Sequence, residues 1–139
     1  MFSKANLTST IVTALWGYFG GWLLWGILSV DFFNDHLGSA TGVMKEVPDP
    51  MMYLVAGCLI FAFAFSTLYG KWSSGDYNAG SGVTFGVWLA VLLGLGEGLI
   101  DYSTSNVLDL TGTLGGVGIY LVFLAVMGLL AGVVYKKMS

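Results

Sequence analysis

The sequence has little charge and no arginine. Of its 139 residues, 9% are charged, and five lysines supply all of the strongly basic groups. A soluble domain carries about 25% charged residues, so this composition, with 56% hydrophobic residues, predicts a membrane protein of one domain. Because the lysines are scattered and form no basic patch, nucleic acid is excluded as a partner.

Cysteine, histidine and enzyme motifs are equally sparse. The single cysteine, Cys58, excludes an internal disulfide, a CxxC redox pair and a thiolate zinc cluster. The single histidine, His36, does not make a metal site by itself. The sequence contains no GxSxG, HExxH or P-loop pattern. We therefore expect no enzymatic activity, no metal and no cofactor.

Four apolar segments are long enough to cross the hydrocarbon core of a bilayer, which takes about 20 residues. Connections rich in glycine, serine, asparagine, aspartate or proline separate them. No small-x-small cleavage site follows the first segment, so we expect it to be a retained span rather than a signal peptide. The sequence thus predicts an all-α polytopic membrane protein, a four-transmembrane-helix bundle with spans at residues 10–30, 51–69, 83–102 and 115–135.

Lysine placement predicts the orientation of these spans. With four spans, both termini and the middle connection share one side, and that side carries Lys4, Lys71, Lys136 and Lys137. The other side carries only Lys45. The positive-inside rule therefore places both termini in the cytoplasm. Most of the acidic residues fall on the opposite, outer side.

Regularly spaced small residues predict close helix packing. Such ridges allow van der Waals contact between helices where lipid removes the hydrophobic drive for association. The pattern indicates either packing within the chain or a seam between copies, so a homo-oligomer or a partner membrane protein is expected in addition to membrane lipid. The ridges consist of Gly82, Gly86, Ala90, Gly94 and Gly98 in the third span, Gly17 and Gly21 in the first, and Gly128 and Gly132 in the fourth.

Two carboxylates near the end of the third span are the leading candidates for a functional site. Glu97 and Asp101 lie one helical turn apart, and at 100° per residue both fall on or beside the small-residue ridge. An acid at the centre of a transmembrane helix costs roughly 2.5–3.5 kcal/mol, and less near an interface. Such residues usually face a bundle interior or a water-filled cavity. Asp31, Asp35 and His36 in the first connection are within reach of the same end.

The acidic group has three interpretations that the sequence leaves open. Its oxygens suit a cation. Two neighbouring carboxyl groups at membrane depth also suit proton coupling. The third interpretation is structural, with the carboxylates held by hydrogen bonds from polar residues nearby, namely Ser29, Ser103, Thr104, Ser105 or Asn106.

The two halves of the sequence show a weak similarity. In each half the first span ends at an aspartate followed by an aromatic residue, and the second span ends at a tyrosine close to lysine. Duplication would give a parallel repeat about the membrane normal, although interfacial tyrosines and charges also recur for physical reasons alone. The matching segments are Asp31-Phe32 with Asp101-Tyr102, and Tyr69-Gly70-Lys71 with Tyr135-Lys136-Lys137.

Three further features carry a family resemblance: a first span rich in glycine and tryptophan over residues 16–26, the run Gly86-Val87-Trp88-Leu89, and a last span with Tyr120, Met127, Gly128 and Gly132. In this order of features the chain resembles uncharacterised small four-span bacterial membrane proteins of the domain-of-unknown-function type. The resemblance covers most of the chain. It implies a multi-pass helix bundle in the bacterial inner membrane and assigns no activity.

Taken together, these patterns predict a non-enzymatic oligomeric or accessory subunit with an acidic cavity that faces outward. The alternative is a small transporter or channel for a cation or a proton-coupled solute that uses Glu97 and Asp101.

Overall fold

The computed structural model describes residues 2–39 and 51–139. Over these residues it contains four helices long and apolar enough to cross a membrane: Lys4–Leu28, Met51–Trp72, Ala79–Thr104 and Leu110–Met138. The predicted all-α four-helix bundle is therefore confirmed. Between 17% and 33% of the apolar window of each helix is buried within the chain. Most of the apolar surface faces outward, which a protein in water rarely tolerates and a lipid environment accommodates.

Two of the four spans are interrupted by π-helical segments. In chain order the elements are α1 (Lys4–Leu23), the first π-segment (Leu24–Leu28), α2 (Val30–Asp35), α3 (Met51–Trp72), α4 (Ala79–Ala90), the second π-segment (Val91–Gly96), α5 (Glu97–Thr104) and α6 (Leu110–Met138). The π-segments occupy corresponding places, near the end of the first span of each half. This correspondence fits the parallel repeat suggested by the sequence.

The helices extend beyond the spans predicted from hydropathy because polar caps continue them. The side chains of Ser3, Asn78 and Asp109 each accept a hydrogen bond from a backbone N–H three residues further on. Caps of this kind satisfy N–H groups that the first helical turn leaves without partners. Hydropathy marks the apolar stretch, whereas the caps mark where each helix begins. Lys45 lies outside the described residues.

The most extensive contact between helices joins α4 to α6. Gly82 faces Gly128, and Gly86 faces Leu124, so closely that a Cβ atom added to either glycine of α4 would overlap a backbone carbonyl group of α6. Gly132 packs in the same way against the backbone of Asn78. The GxxxG pairs of the third and fourth spans therefore form one seam, which we call the glycine seam.

The ridge on the third span continues past this seam toward the cavity described below. A Cβ atom at Gly94 would come within 3.0 Å of the Cβ of Tyr120, and one at Gly98 within 3.6 Å of Thr113. Ala90, which lies between Gly86 and Gly94 on this ridge, is fully buried. The glycines of this ridge thus face α6 of the same chain. Any seam between copies has to use a different surface.

Helix α1 packs against α6 through its own glycine pair. A Cβ atom at Gly17 would meet Met127 at 3.6 Å, and one at Gly21 would meet Phe123 at 3.9 Å. Next to Gly17, the Trp16 indole Nε1 donates a hydrogen bond of 2.8 Å to the carbonyl oxygen of Phe123. The first span is thereby held at a defined height against α6.

Helix α1 packs against α3 through buried polar side chains. The hydroxyl oxygens of Ser9 and Ser66 lie 2.8 Å apart, and the Asn6 amide donates to the Thr67 hydroxyl at 3.0 Å. Thr13, also buried, donates to the carbonyl oxygen of Ser9 at 2.7 Å. Hydrogen bonds between helices contribute to association in lipid, so these residues pair the first two spans.

The two ends of the bundle differ in charge. The Tyr135 hydroxyl donates to the carbonyl oxygen of Ser66 at 2.8 Å, and the Tyr69 and Ser81 hydroxyls lie 2.7 Å apart. These contacts gather both termini and the α3–α4 connection at one end, which we call the lysine end for Lys4, Lys71, Lys136 and Lys137. The opposite end, which we call the acidic end, carries Asp31, Asp35, Glu97, Asp101 and Asp109.

Candidate functional site

A cavity of about 290 Å³ opens at the acidic end, and both Glu97 and Asp101 line it. We call it the acidic cavity. Glu97 is the first residue of α5 and Thr104 the last, which places Glu97 about 10 Å along the helix from the end of the span. Both acidic side chains are exposed, and both lie at the wall of this one cavity.

The π-segments bring residues from separate spans to this cavity. Trp25 comes from the first π-segment, and Gly94 comes from the second. A π-segment changes the direction in which the following side chains point, and such segments are frequent at functional sites. The glycine at position 94 lets the second π-segment approach α6 at Tyr120. The cavity is therefore bounded by the two interrupted spans and by α6.

Aromatic side chains form much of the cavity wall. Trp25, Phe33, Tyr102 and Tyr120 all line it. The rings of Trp25 and Tyr120 meet edge to face with centroids 5.2 Å apart. A cation near an aromatic face gains about 0.5–2 kcal/mol. The aromatic walls and the carboxylates therefore both attract a positively charged ligand.

The carboxylates of Glu97 and Asp101 have no hydrogen-bond donor or cationic partner within residues 2–39 and 51–139. The neighbouring hydroxyl groups donate to the helix backbone instead: Ser103 and Thr104 to the carbonyl oxygen of Ile100, and Ser105 to that of Asp101. Ser29 likewise donates to the backbone, at Leu24. These four hydroxyl groups therefore do not donate to the carboxylates of Glu97 and Asp101.

The other sequence candidates lie apart from this pair. His36 Nδ1 lies 3.3 Å from a carboxylate oxygen of Asp109, within hydrogen-bond distance. Asp109 also caps α6, through a hydrogen bond of 2.7 Å from the Gly112 amide. Asp31 and Asp35 are exposed and do not line the acidic cavity. The structure therefore brings together two of the five acidic-end candidates.

The contacts around His36 close the acidic end beside the cavity. The Asp109 amide donates to the carbonyl oxygen of His36 at 2.8 Å, and the Gly38 amide donates to that of Val107 at 2.9 Å. Leu37 and Leu108 form an antiparallel bridge between these bonds. His36 and Asp109 thus join the end of the first span to the start of α6.

The donor set does not suit a metal ion. A hard cation such as Ca²⁺ takes six to eight oxygen ligands. Over the described residues no group of three or more histidine, cysteine, aspartate or glutamate side chains is placed to hold a metal. Two carboxylates among aromatic rings, in a cavity of about 290 Å³, suit an organic cation better.

Reasoning from the sequence missed the side of the site that α6 provides. Tyr120 and Thr113, both on α6, line the cavity opposite the acids. Neither residue is marked in the sequence as part of a site. Tyr120 is one of seven tyrosines, and Thr113 stands just before a long apolar stretch and belongs to no motif. Their spacing of seven residues, about two turns of one helix, becomes informative only once α6 is known to pack against the glycine ridge.

No protein-family model matches this chain, and comparisons with the curated proteins and with the solved structures gave no match.

Proposed function

We propose that this protein is a non-enzymatic multi-pass protein of the bacterial inner membrane that binds a small organic cation in the acidic cavity. One observation carries the proposal. Glu97 and Asp101 share an aromatic-walled cavity, and within the described residues neither carboxylate has a donor or a cation to pair with. Two negative groups one helical turn apart on the same helix repel each other. A cation between them relieves this repulsion.

The distribution of charge supports the orientation. Four lysines gather at the lysine end, and the positive-inside rule assigns such an end to the cytoplasm. The acidic cavity then opens on the outer side. It would receive its cation from outside the cell or from the periplasm.

Calorimetric titration with tetramethylammonium tests the proposal. The protein is placed in nanodiscs of zwitterionic lipid, so that the bilayer itself does not attract the cation. We expect Glu97→Gln to weaken binding about tenfold, which corresponds to about 1.4 kcal/mol. Asp31→Asn is the matched control, because it removes one negative charge at the same end from a residue that does not line the cavity. Equal effects of the two variants would overturn the proposal.

Transport of the bound cation is a second candidate. It is favoured by the π-segments that interrupt both spans beside the cavity, because broken helices border the binding sites of many transporters. In proteoliposomes we expect uptake of radiolabelled tetramethylammonium by the native protein and none by Glu97→Gln. Uptake equal to that of protein-free vesicles would leave binding as the whole function.

We also propose association with a second copy or a partner membrane protein. The glycine seam is occupied within the chain, so the contact has to use an outward face. The face of α3 is available because Met52, Tyr53 and Ile60 are about 70% exposed. Cross-linking through a cysteine placed at Ile60 in native membranes tests this. Recovery of the 14.8 kDa monomer alone would count against it.

A further inference from the structure

A second cavity, of about 370 Å³, adjoins the acidic cavity and has the opposite chemistry. We call it the apolar chamber. It lies between α1, α3 and α6, with Leu54, Gly57 and Phe61 of α3 on one side and Phe123 of α6 on the other. Among the described residues that line it there is no carboxylate and no amine. Its volume falls within the roughly 300–1,000 Å³ of ordinary ligand sites.

Trp25 and Tyr120 line both cavities. Their rings meet edge to face at 5.2 Å, and Trp25 also meets Phe123 at 5.0 Å. The division between the acidic cavity and the apolar chamber therefore includes these two side chains. A ligand that occupies both cavities has to pass beside them.

We propose that the bound cation is the head of an amphiphile whose apolar tail occupies the apolar chamber. This inference rests on the proposed function, because it assigns the head to Glu97 and Asp101. Charge complementarity selects this occupant. A zwitterionic lipid carries a phosphate next to its ammonium group, so its head is neutral overall and would bring a further negative charge to the two carboxylates. An alkylammonium places its positive charge against the carboxylates and Trp25, and its tail beside Gly57 and Phe61.

Gly57 offers a direct way to fill the chamber. Gly57 lines the chamber and a Cβ atom added there meets nothing within 4 Å, so Gly57→Leu introduces a larger side chain at the chamber wall without a clash at its first atom. Gly118 on α6 is the matched control, because its Cβ would also meet nothing within 4 Å and it lines neither cavity. Leu54→Trp fills the same chamber from a second position, so the test does not depend on one variant.

The experiment compares two probes in zwitterionic nanodiscs, with empty nanodiscs as the blank: tetramethylammonium, which is a head alone, and decyltrimethylammonium, which adds a tail. We expect Gly57→Leu and Leu54→Trp to weaken decyltrimethylammonium binding about tenfold, and to leave tetramethylammonium binding within about twofold of the native value. Glu97→Gln should weaken both probes. Gly118→Leu should change neither.

Three results would overturn the inference, and they differ in what they leave standing. If the chamber variants leave decyltrimethylammonium binding unchanged while Glu97→Gln weakens both probes, the tail assignment fails and the proposed function stands. If neither probe depends on Glu97, both fail. If uncharged decanol binds as tightly as the cation and depends equally on Gly57, the chamber is an acyl-chain site unconnected with the carboxylates.

Discussion

Replacing Gly82 by alanine should force α4 away from α6. The new Cβ atom would overlap the carbonyl group of Gly128, and a backbone atom cannot rotate aside as a side chain can. Overpacking a close contact costs about 1–3 kcal/mol. A gap of about 0.5–1 Å along the rest of the seam would also forfeit a quarter to a half of its dispersion energy. We expect the free energy of unfolding to fall by about 2–4 kcal/mol in total.

Gly118→Ala provides the comparison for this prediction. It makes the same chemical change in a helix, but the added Cβ atom meets nothing within 4 Å. Alanine is the better helix former by up to about 1 kcal/mol, so this variant should be as stable as the native protein or slightly more stable. The two substitutions are thus expected to differ in sign.

Unfolding by sodium dodecyl sulfate in mixed micelles measures both variants, with the fluorescence of the five tryptophans as the signal. The midpoint for Gly82→Ala should move to a lower detergent fraction. Gly86→Ala should behave similarly, because its Cβ would overlap the carbonyl group of Leu124. If all three variants unfold at the native midpoint, the glycines do not set the distance between α4 and α6, and the reasoning is refuted.

Two further predictions concern single hydrogen bonds at opposite ends of the bundle. Tyr135→Phe removes the 2.8 Å bond to the carbonyl oxygen of Ser66, and should lower the free energy of unfolding by about 0.5–1.5 kcal/mol in the same titration; an unchanged midpoint would contradict this. Asp109→Ala removes the cap of α6, and should cost about 0.5–2 kcal/mol and speed hydrogen exchange at the Gly112 amide. Exchange no faster than in Asp35→Ala, which removes an exposed acid, would show that the cap is not needed.

The number and place of the spans were predictable because composition and hydropathy report the same physical requirement, namely apolar length. The helix ends were less so. Lys4, Ala79 and Leu110 begin their helices outside the apolar stretches, where a capping side chain and not hydropathy decides the start. The glycine ridge indicated close packing correctly. Its partner, α6, could not be chosen from spacing alone, because a second copy would satisfy the same pattern.

The candidate site was predictable in part. Glu97 and Asp101 stood out because carboxylates are rare in apolar segments, and the structure places them in one cavity. The rotation of 100° per residue used to orient them assumes an uninterrupted α-helix, whereas the segment just before Glu97 is π-helical. Trp25 and Tyr120 are 95 positions apart by residue number. Their meeting depends on tertiary packing that no local pattern contains.

The second π-segment determines what the deletion of a single residue would do to this span. An α-helix with one residue inserted absorbs the insertion as a π-turn, and removal of that residue restores the regular spiral. The part of the span beyond it would then swing round its own axis by about 100°. The two carboxylates would sweep away from Tyr120 while α4 and its contacts stayed in place. Deletion of a single codon can therefore redirect the acidic side chains in one step, while the glycine seam between α4 and α6 stays intact.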